Sequence, residues 1–216
     1  TFTEGKTIHY TLDGTEPSIN SKKYKNPIPI TESKTIKAAV FDAEVKLGKV
    51  FVQNINFHKG VGKVISINKK PHKAYSGSGA EGLINGISGS DSRYGDKEWL
   101  GFWGEDIEIT IDLGEETEIN SIETRFYNGN GQWIYAPNQV VIEFHLNNGS
   151  IVIDKRELLI ESNSIIKLNH ECMGPKFSGI KVKSIKLKAP NYGIIPEGKQ
   201  GAGNKAWTFI DEIIIN

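Results

Sequence analysis

The chain has 216 residues and carries 26 Lys+Arg against 26 Asp+Glu, so its formal net charge is zero. That balance gives no electrostatic case for nucleic acid or an anionic membrane surface as a partner. No apolar run approaches the roughly 20 residues of a membrane span, and a lone cysteine, Cys172, rules out an internal disulfide and a cysteine-based zinc site.

In chain order, "TIHYTL" alternates, with Ile8, Tyr10 and Leu12 on one face. It ends in "DGTEP", where Asp13-Gly14 and Pro17 mark a turn. The prolines of "NPIPI" demote that segment to an edge or irregular strand. "TIKAAVF" and "KVFVQNINF" have period two and close a small β unit near Phe57. "HKGVGK" then reads as a short linker.

From Gly82 to Gly104 the chain reads "GLINGISGSDSRYGDKEWLGFWG", a long loop of glycines, hydroxyls, acids and two tryptophans. Loops of this length are usually functional or disordered. "DIEITIDLG" is a strand with Ile107, Ile109, Ile111 and Leu113 on the apolar face and Glu108, Thr110 and Asp112 on the wet one. "EINSIETRFY" is expected to follow after a short turn. "VVIEFHL" meets "NNGS", a hairpin signal, and "IVI" returns. "SIIKL", "SGIKVKSIKLKA" and "TFIDEIII" complete the strands. The apolar phase slips between Val182 and Ile185, which predicts a bulge near Lys183-Ser184. Short strands separated by turns make the chain all-β, in sandwich or jelly-roll form.

The motifs of common chemistry lack their context. "GSGAEG" (Gly77 to Gly82) and "GAGNKA" (Gly201 to Ala206) match dinucleotide fingerprints, but neither sits between a strand and a helix. There is no nucleophile elbow and no H-E-x-x-H pattern, and Cys172 in "HECMGP" has no evident activator. The "NGS" at Asn148 is a sequon better explained as a turn. Glu105-Asp106 and Glu115-Glu116 read as solvated charge, since neighbours on a strand point to opposite faces and cannot flank a scissile bond. Asp211-Glu212 differs because it interrupts an apolar strand, where carboxylates need a partner.

Sugars stack their C–H faces on aromatic rings, with polar neighbours fixing orientation. Trp99, Phe102 and Trp207 read as core. Tyr94, Trp103, Trp133 and Tyr192, with polar or glycine neighbours, are open to either role, as core or as stacking surface. Arg93, Gln132 and Asn191 are their hydrogen-bonding neighbours.

Two resemblances organise these readings. Tyr10 to Pro17 ("YTLDGTEP"), Ser21 to Tyr24 and Thr35 to Ala38 ("TIKA") resemble the small fibronectin-type-III-associated β-sandwich found after bacterial glycoside hydrolase catalytic domains. The family's first strands are missing before Thr1, so this sandwich is expected to be incomplete, and the chain, which opens without Met, is read as a fragment of a longer protein. "LINGISGS", "WLGFWGEDIEITIDLG", "WIYAP" and "GKQGAGNKAWTFIDEI" resemble a discoidin-like domain (coagulation factor type C, family 32 carbohydrate-binding module), in the form that trails family 20 β-N-acetylhexosaminidases of Bacteroidetes. Similar modules trail fucosidases and galactosidases.

The resemblance implies two β-sandwiches, residues 1–58 and 62–216, from an extracytoplasmic bacterial enzyme whose catalytic domain lies upstream, with no catalytic residue here. It implies glycan ligands ending in GlcNAc, GalNAc or galactose, with purely structural bracing of the catalytic barrel as the alternative. It also implies a structural Ca2+ under the long loop. Asn85 takes the family's Asp position, Ile87 offers a carbonyl and Ser90 takes the Thr position. Glu212 is the late carboxylate, with Asp211 contributing its carbonyl. Asn85 keeps an oxygen but loses a charge, which weakens the site. Without an ion, Asn85 is expected to donate a hydrogen bond to Glu212.

Overall fold

The computed structural model describes residues 5–160, 165–172 and 179–216. The first residue of "SIIKL", the start of "SGIKVK" and the end of "HECMGP" lie outside them. The described residues are nearly all β and fall into two compact units, Thr1–His58 and Lys59–Asn216. Among them no helix is long and apolar enough to cross a membrane.

The smaller unit is an antiparallel sheet in the order β2-β1-β3-β4, from β1 (Lys6–Thr11), β2 (Lys22–Lys23), β3 (Lys34–Asp42) and β4 (Val45–Ile55). "NPIPI" is irregular, as its missing N–H groups require. The face predicted to be buried is only partly so. Ile8 and Tyr10 line an apolar groove with Tyr24, Ile36, Ala38 and Phe51, whereas His9, Ala39 and Phe41 are buried on the opposite face. His9 is held there by Ser21 O at 2.8 Å and packs edge-on against Phe41.

The larger unit has two facing sheets. One runs β10-β9-β12-β7-β5, from β5 (Val64–Ile67), β7 (Ile107–Ile119), β9 (Gln139–His145), β10 (Ile151–Glu157) and β12 (Ile180–Ala189). The other runs β11-β8-β13-β6, from β6 (Leu100–Trp103), β8 (Ser121–Tyr127), β11 (Ile165–Glu171) and β13 (Trp207–Ile210), with β14 (Ile214–Ile215) also paired to β8. Alternate residues of both sheets meet in one core: Ile109, Ile111, Ile142 and Leu187 from the first, Phe102, Ile122, Phe126 and Ile210 from the second. Each such side chain contributes about 1.5–3 kcal/mol on burial, which fixes every strand's register, because a one-residue slip turns the apolar set outward.

Two details revise the sequence-based expectation. No turn follows Leu113: β7 runs on to Ile119, and residues 113–116 stand opposite the one residue Lys183, where the β12 register slips between Val182 and Ser184. Gly114, at φ +80°, takes the conformation this bulge needs. "TFIDEIII" is not one strand either. It breaks at Asp211–Ile213, because the Asp211 and Glu212 side chains are buried against the long loop.

Candidate functional site

The outer face of the β6–β13–β8 sheet carries a layer of rings. Trp103 on β6 faces Trp207 on β13, ring centroids 4.7 Å apart. Phe209 faces Tyr127 of β8. The loops fold over this face: Tyr75 from the short 3-10 turn Lys73–Tyr75 meets Trp207 at 5.3 Å and Phe209 at 4.9 Å, and Tyr94 meets Phe209 at 5.3 Å and Tyr127 at 5.6 Å. Burial and the neighbouring Tyr94 push the Tyr75 hydroxyl above the usual tyrosine range. Trp99, read as core, is fully buried beneath this layer, in a cluster with Ile134 and Phe209. Trp207, also read as core, is only partly buried.

Towards one edge the layer opens. Trp133 stands beside Trp103 at 6.3 Å, and exposed His72 packs edge-on against Trp207 at 5.2 Å. His72, Trp207, Trp103 and Trp133 thus form a connected series of rings, the three tryptophans each partly buried. Trp133 has φ +62°, a left-handed backbone that bulky residues seldom adopt. It is held so by Asn130 O, which accepts its N–H, and by the N–H of Trp207 on its carbonyl. Strain of this kind is found where a side chain's placement matters. A cleft of about 230 Å³, lined by Tyr127, Asn128, Gly129, Gly131 and Gln132, lies alongside.

Gly201, at φ +86°, lies so close that a Cβ there would meet the Trp133 ring at 2.5 Å. Gly201→Ala is therefore expected to displace Trp133 and weaken any ligand held on its ring by about tenfold, with a smaller effect on stability. Titration and thermal melts of the same sample check this. Unaltered binding would mean that Trp133 takes no part.

The other predicted contact residues have diverse settings. Arg93 and Gln132 are exposed. Tyr94 is partly covered by its ring neighbours. Tyr192 stacks on Tyr135 at 4.8 Å and accepts a hydrogen bond from Lys199, whose ammonium lies over both rings. That bond holds the Lys199 ammonium above its usual range. Asn191 donates both amide protons internally, to Ala206 O and Thr208 Oγ1, and accepts the Gly193 N–H. Its amide braces the loop. Cys172 is half-buried and its thiol is pushed up to about 11 by burial, so it stays protonated and unreactive.

The residues of the implied cation site come together under the long loop. Asn85, at the end of the 3-10 turn Ala80–Ile84, accepts the Ile87 N–H at 2.7 Å. Its amide is placed on Glu98 at 3.2 Å, a residue absent from the implied ligand set. Glu212 accepts the Gly86 N–H at 2.7 Å. The Ser90 hydroxyl pairs with Ser92, and the Asp211 carbonyl accepts from Thr124. The atoms are oxygens of the kind a hard cation takes, and buried Glu98 Oε1 has no hydrogen-bond donor, but among the described residues no group of three or more His, Cys, Asp or Glu side chains is placed to hold a metal ion.

Two residues that sequence reasoning missed organise this loop. Asp96 accepts the N–H groups of Ser90, Glu98 and Trp99. Arg125 reaches from β8 to the Asp211 carboxylate through Nε and Nη2, to Gly89 O at 2.7 Å and to Asp91 at 2.6 Å. Its guanidinium also lies 5.3 Å from the Trp99 ring centre.

Comparison with known proteins gives the following. The Fn3-associated family model matches residues 1–55. A search of the curated proteins found no match. Among solved structures, the lectin domain of lectinolysin complexed with Lewis B antigen is 13% identical, with 74% of this chain and 95% of that one covered at TM-score 0.45. Chitosan-binding module 1 of a chitosanase/glucanase from Paenibacillus sp. IK-5 is 8% identical, with 74% and 98% covered at TM-score 0.40. The family 32 carbohydrate-binding module of AlyQ, in complex with 4,5-unsaturated mannuronic acid, is 15% identical, with 71% and 93% covered at TM-score 0.39.

Proposed function

We propose that this chain is a non-catalytic, glycan-binding accessory region of a secreted bacterial glycoside hydrolase, of the β-N-acetylhexosaminidase kind. The larger, discoidin-like unit binds glycan and keeps the catalytic domain near its substrate by raising effective concentration. The reading is carried by the ring series His72, Trp207, Trp103 and Trp133 at the open edge of the sheet face. Partly exposed rings of this kind suit the apolar face of a pyranose, while Gln132 and the adjoining cleft supply hydrogen bonds to its hydroxyls. Asn191 and Tyr192 shape the loop behind them. Solved structures that resemble the chain include proteins described as binding Lewis B antigen, chitosan and an unsaturated mannuronic acid.

The test is titration with glycans ending in GlcNAc, GalNAc or galactose, followed by the same titration of Trp103→Ala. Truncating a central aromatic contact typically costs about 2 kcal/mol or more, so the variant is expected to bind at least tenfold more weakly. Absence of binding to a broad glycan array at millimolar concentration would end the proposal.

An architectural role, in which the aromatic face packs against a protein, draws support from how fully Tyr75, Tyr94 and Tyr127 pack against one another. Iodide quenching of tryptophan fluorescence separates the two. Loss of quenching on adding glycan supports the first reading, and loss only on adding the catalytic domain supports the second.

A further inference from the structure

On one side of the larger unit the two sheets end in the edge strands β10 and β11. There the apolar core gives way to charge. Val152, Asp154 and Arg156 of β10 stand opposite the buried Phe144, Ile142 and Val140 of β9, so they share the inner face. On β11 the buried positions run Ile166, Leu168, His170. His170 is 7% exposed, and its ring lies 5.6 Å from that of Phe144. Its Nδ1 is 2.9 Å from Nη2 of Arg156 and 2.9 Å from Oδ2 of Asp154, and the same Oδ2 accepts from Arg156 Nε at 2.6 Å. A guanidinium only donates and an ionised carboxylate only accepts. One nitrogen cannot serve both. Bare, it accepts from Arg156; protonated, it donates to Asp154. A cleft of about 320 Å³ lies beside these three residues, with Phe144 and Ile180 in its lining. Among the described residues, the other titratable groups lining it are exposed Glu171 and Cys172, whose thiol stays protonated.

We propose that Asp154, Arg156 and His170 form a proton-operated clasp between the two sheets, in which a proton on His170 Nδ1 exchanges Arg156 for Asp154 as its partner. In the neutral state the ring carries its proton on Nε2 and accepts from Arg156, so the guanidinium ties β10 to β11. A proton taken from water onto Nδ1 sets an imidazolium against that guanidinium. Asp154 Oδ2 accepts the new N–H, and the Arg156 side chain, 47% exposed, has water to move into. Its departure removes one wall of the cleft. Burial is the main cause holding His170 below the ordinary histidine range; Asp154 opposes it and Arg156 adds to it. The unfolded chain therefore takes up this proton at a higher pH than the folded one. Stability falls as pH drops from the ordinary histidine range through the folded value.

The test is an NMR titration of the full chain, taken from above to below the ordinary histidine pKa of about 6.5 and reading the ring nitrogens of His170 and the Nε–H of Arg156. At high pH, Nδ1 is expected to be the bare nitrogen. It is expected to gain its proton below the ordinary value, and the Arg156 Nε–H to lose its protection from exchange at the same midpoint. Arg156→Met keeps the apolar stem but removes the competing cation, so the His170 midpoint is expected to shift up. Asp154→Asn removes the carboxylate that favours the imidazolium, so the midpoint is expected to shift down. His170→Gln retains an acceptor and a donor but does not titrate, and in urea melts it is expected to lose less stability than the wild type as pH falls. If that variant does not fold, the opposite shifts of the two β10 variants decide, since both side chains reach solvent. The proposal is overturned if neutral His170 carries its proton on Nδ1, or if it titrates at or above the ordinary value. It is equally overturned if either β10 variant leaves that titration unchanged.

Discussion

Replacing Arg125 with alanine is expected to destabilise the larger unit by about 3–5 kcal/mol, the usual consequence of leaving one member of a buried ion pair alone. In a unit of this size that corresponds to a melting temperature roughly 10 °C lower or more. Asp211 has no exposed side-chain surface, and Oδ2 is the atom that receives Arg125 and the Gly89 N–H. Burial already raises the Asp211 carboxyl above its ordinary range, and Arg125 is the largest influence opposing that rise, ahead of the backbone hydrogen bonds from Glu212 and Gly89. Without the guanidinium the carboxyl rises further, so the folded state binds its proton more tightly than the unfolded chain does. Stability of the variant then falls as pH rises through that interval. The deficit relative to wild type is therefore expected to be largest at neutral pH and to shrink in acid. Urea melts at two pH values measure it. A deficit below about 1 kcal/mol at neutral pH, or one that does not change in acid, would show that the pair does not hold the loop.

Trp99→Ala is expected to cost a similar amount, about 3–5 kcal/mol, as for other fully buried aromatics. The ring has no exposed surface, donates from Nε1 to Ser90 O at 3.0 Å, meets the edge of Tyr127 at 5.5 Å and lies near the Arg125 guanidinium. Trp99→Phe keeps most of the packing but leaves the Ser90 carbonyl without its donor, which retains a deficit of about 1–3 kcal/mol. Because Arg125 and Trp99 touch, the double alanine variant should fall short of the sum of its parts by about 0.5–3 kcal/mol. Strict additivity would mean that the two hold the loop independently.

Much of the larger sandwich was legible because its signals are local. The period-two pattern of Ile107, Ile109, Ile111 and Leu113 marks a half-buried strand, Asn148-Gly149 marks the hairpin joining β9 to β10, and the phase slip between Val182 and Ile185 marks the bulge. The extent of β7 was not legible. A glycine followed by two acids reads as a turn, and only the partner strand reveals that residues 113–116 are an insertion in a continuing ladder.

The candidate site divides on the same line. Trp103 and Trp133 were visible as aromatic residues among polar neighbours. Trp207 and His72 were not, because their exposure depends on which face of β13 the loops leave open. Arg125 occupies an ordinary outward position in "IETRFY", and its partners lie 34 to 86 residues away. Glu98 is one of several acids in a polar loop until the fold presses it against Asn85.

The position of β13 bears on how the protein folds. Residues 207–210 lie between β6 and β8, Ile213 donates to Leu83 O at 2.6 Å, and Ile215 pairs with Ile122. Half of the sandwich therefore has a gap at its centre until residues 207–215 join it. Before they do, the sheet lacks its middle strand and apolar residues of the core stay open to water. The larger unit closes only through contacts distant in sequence, which form slowly, on the order of milliseconds to seconds. The same arrangement makes its last ten residues as necessary to the core as any strand before them.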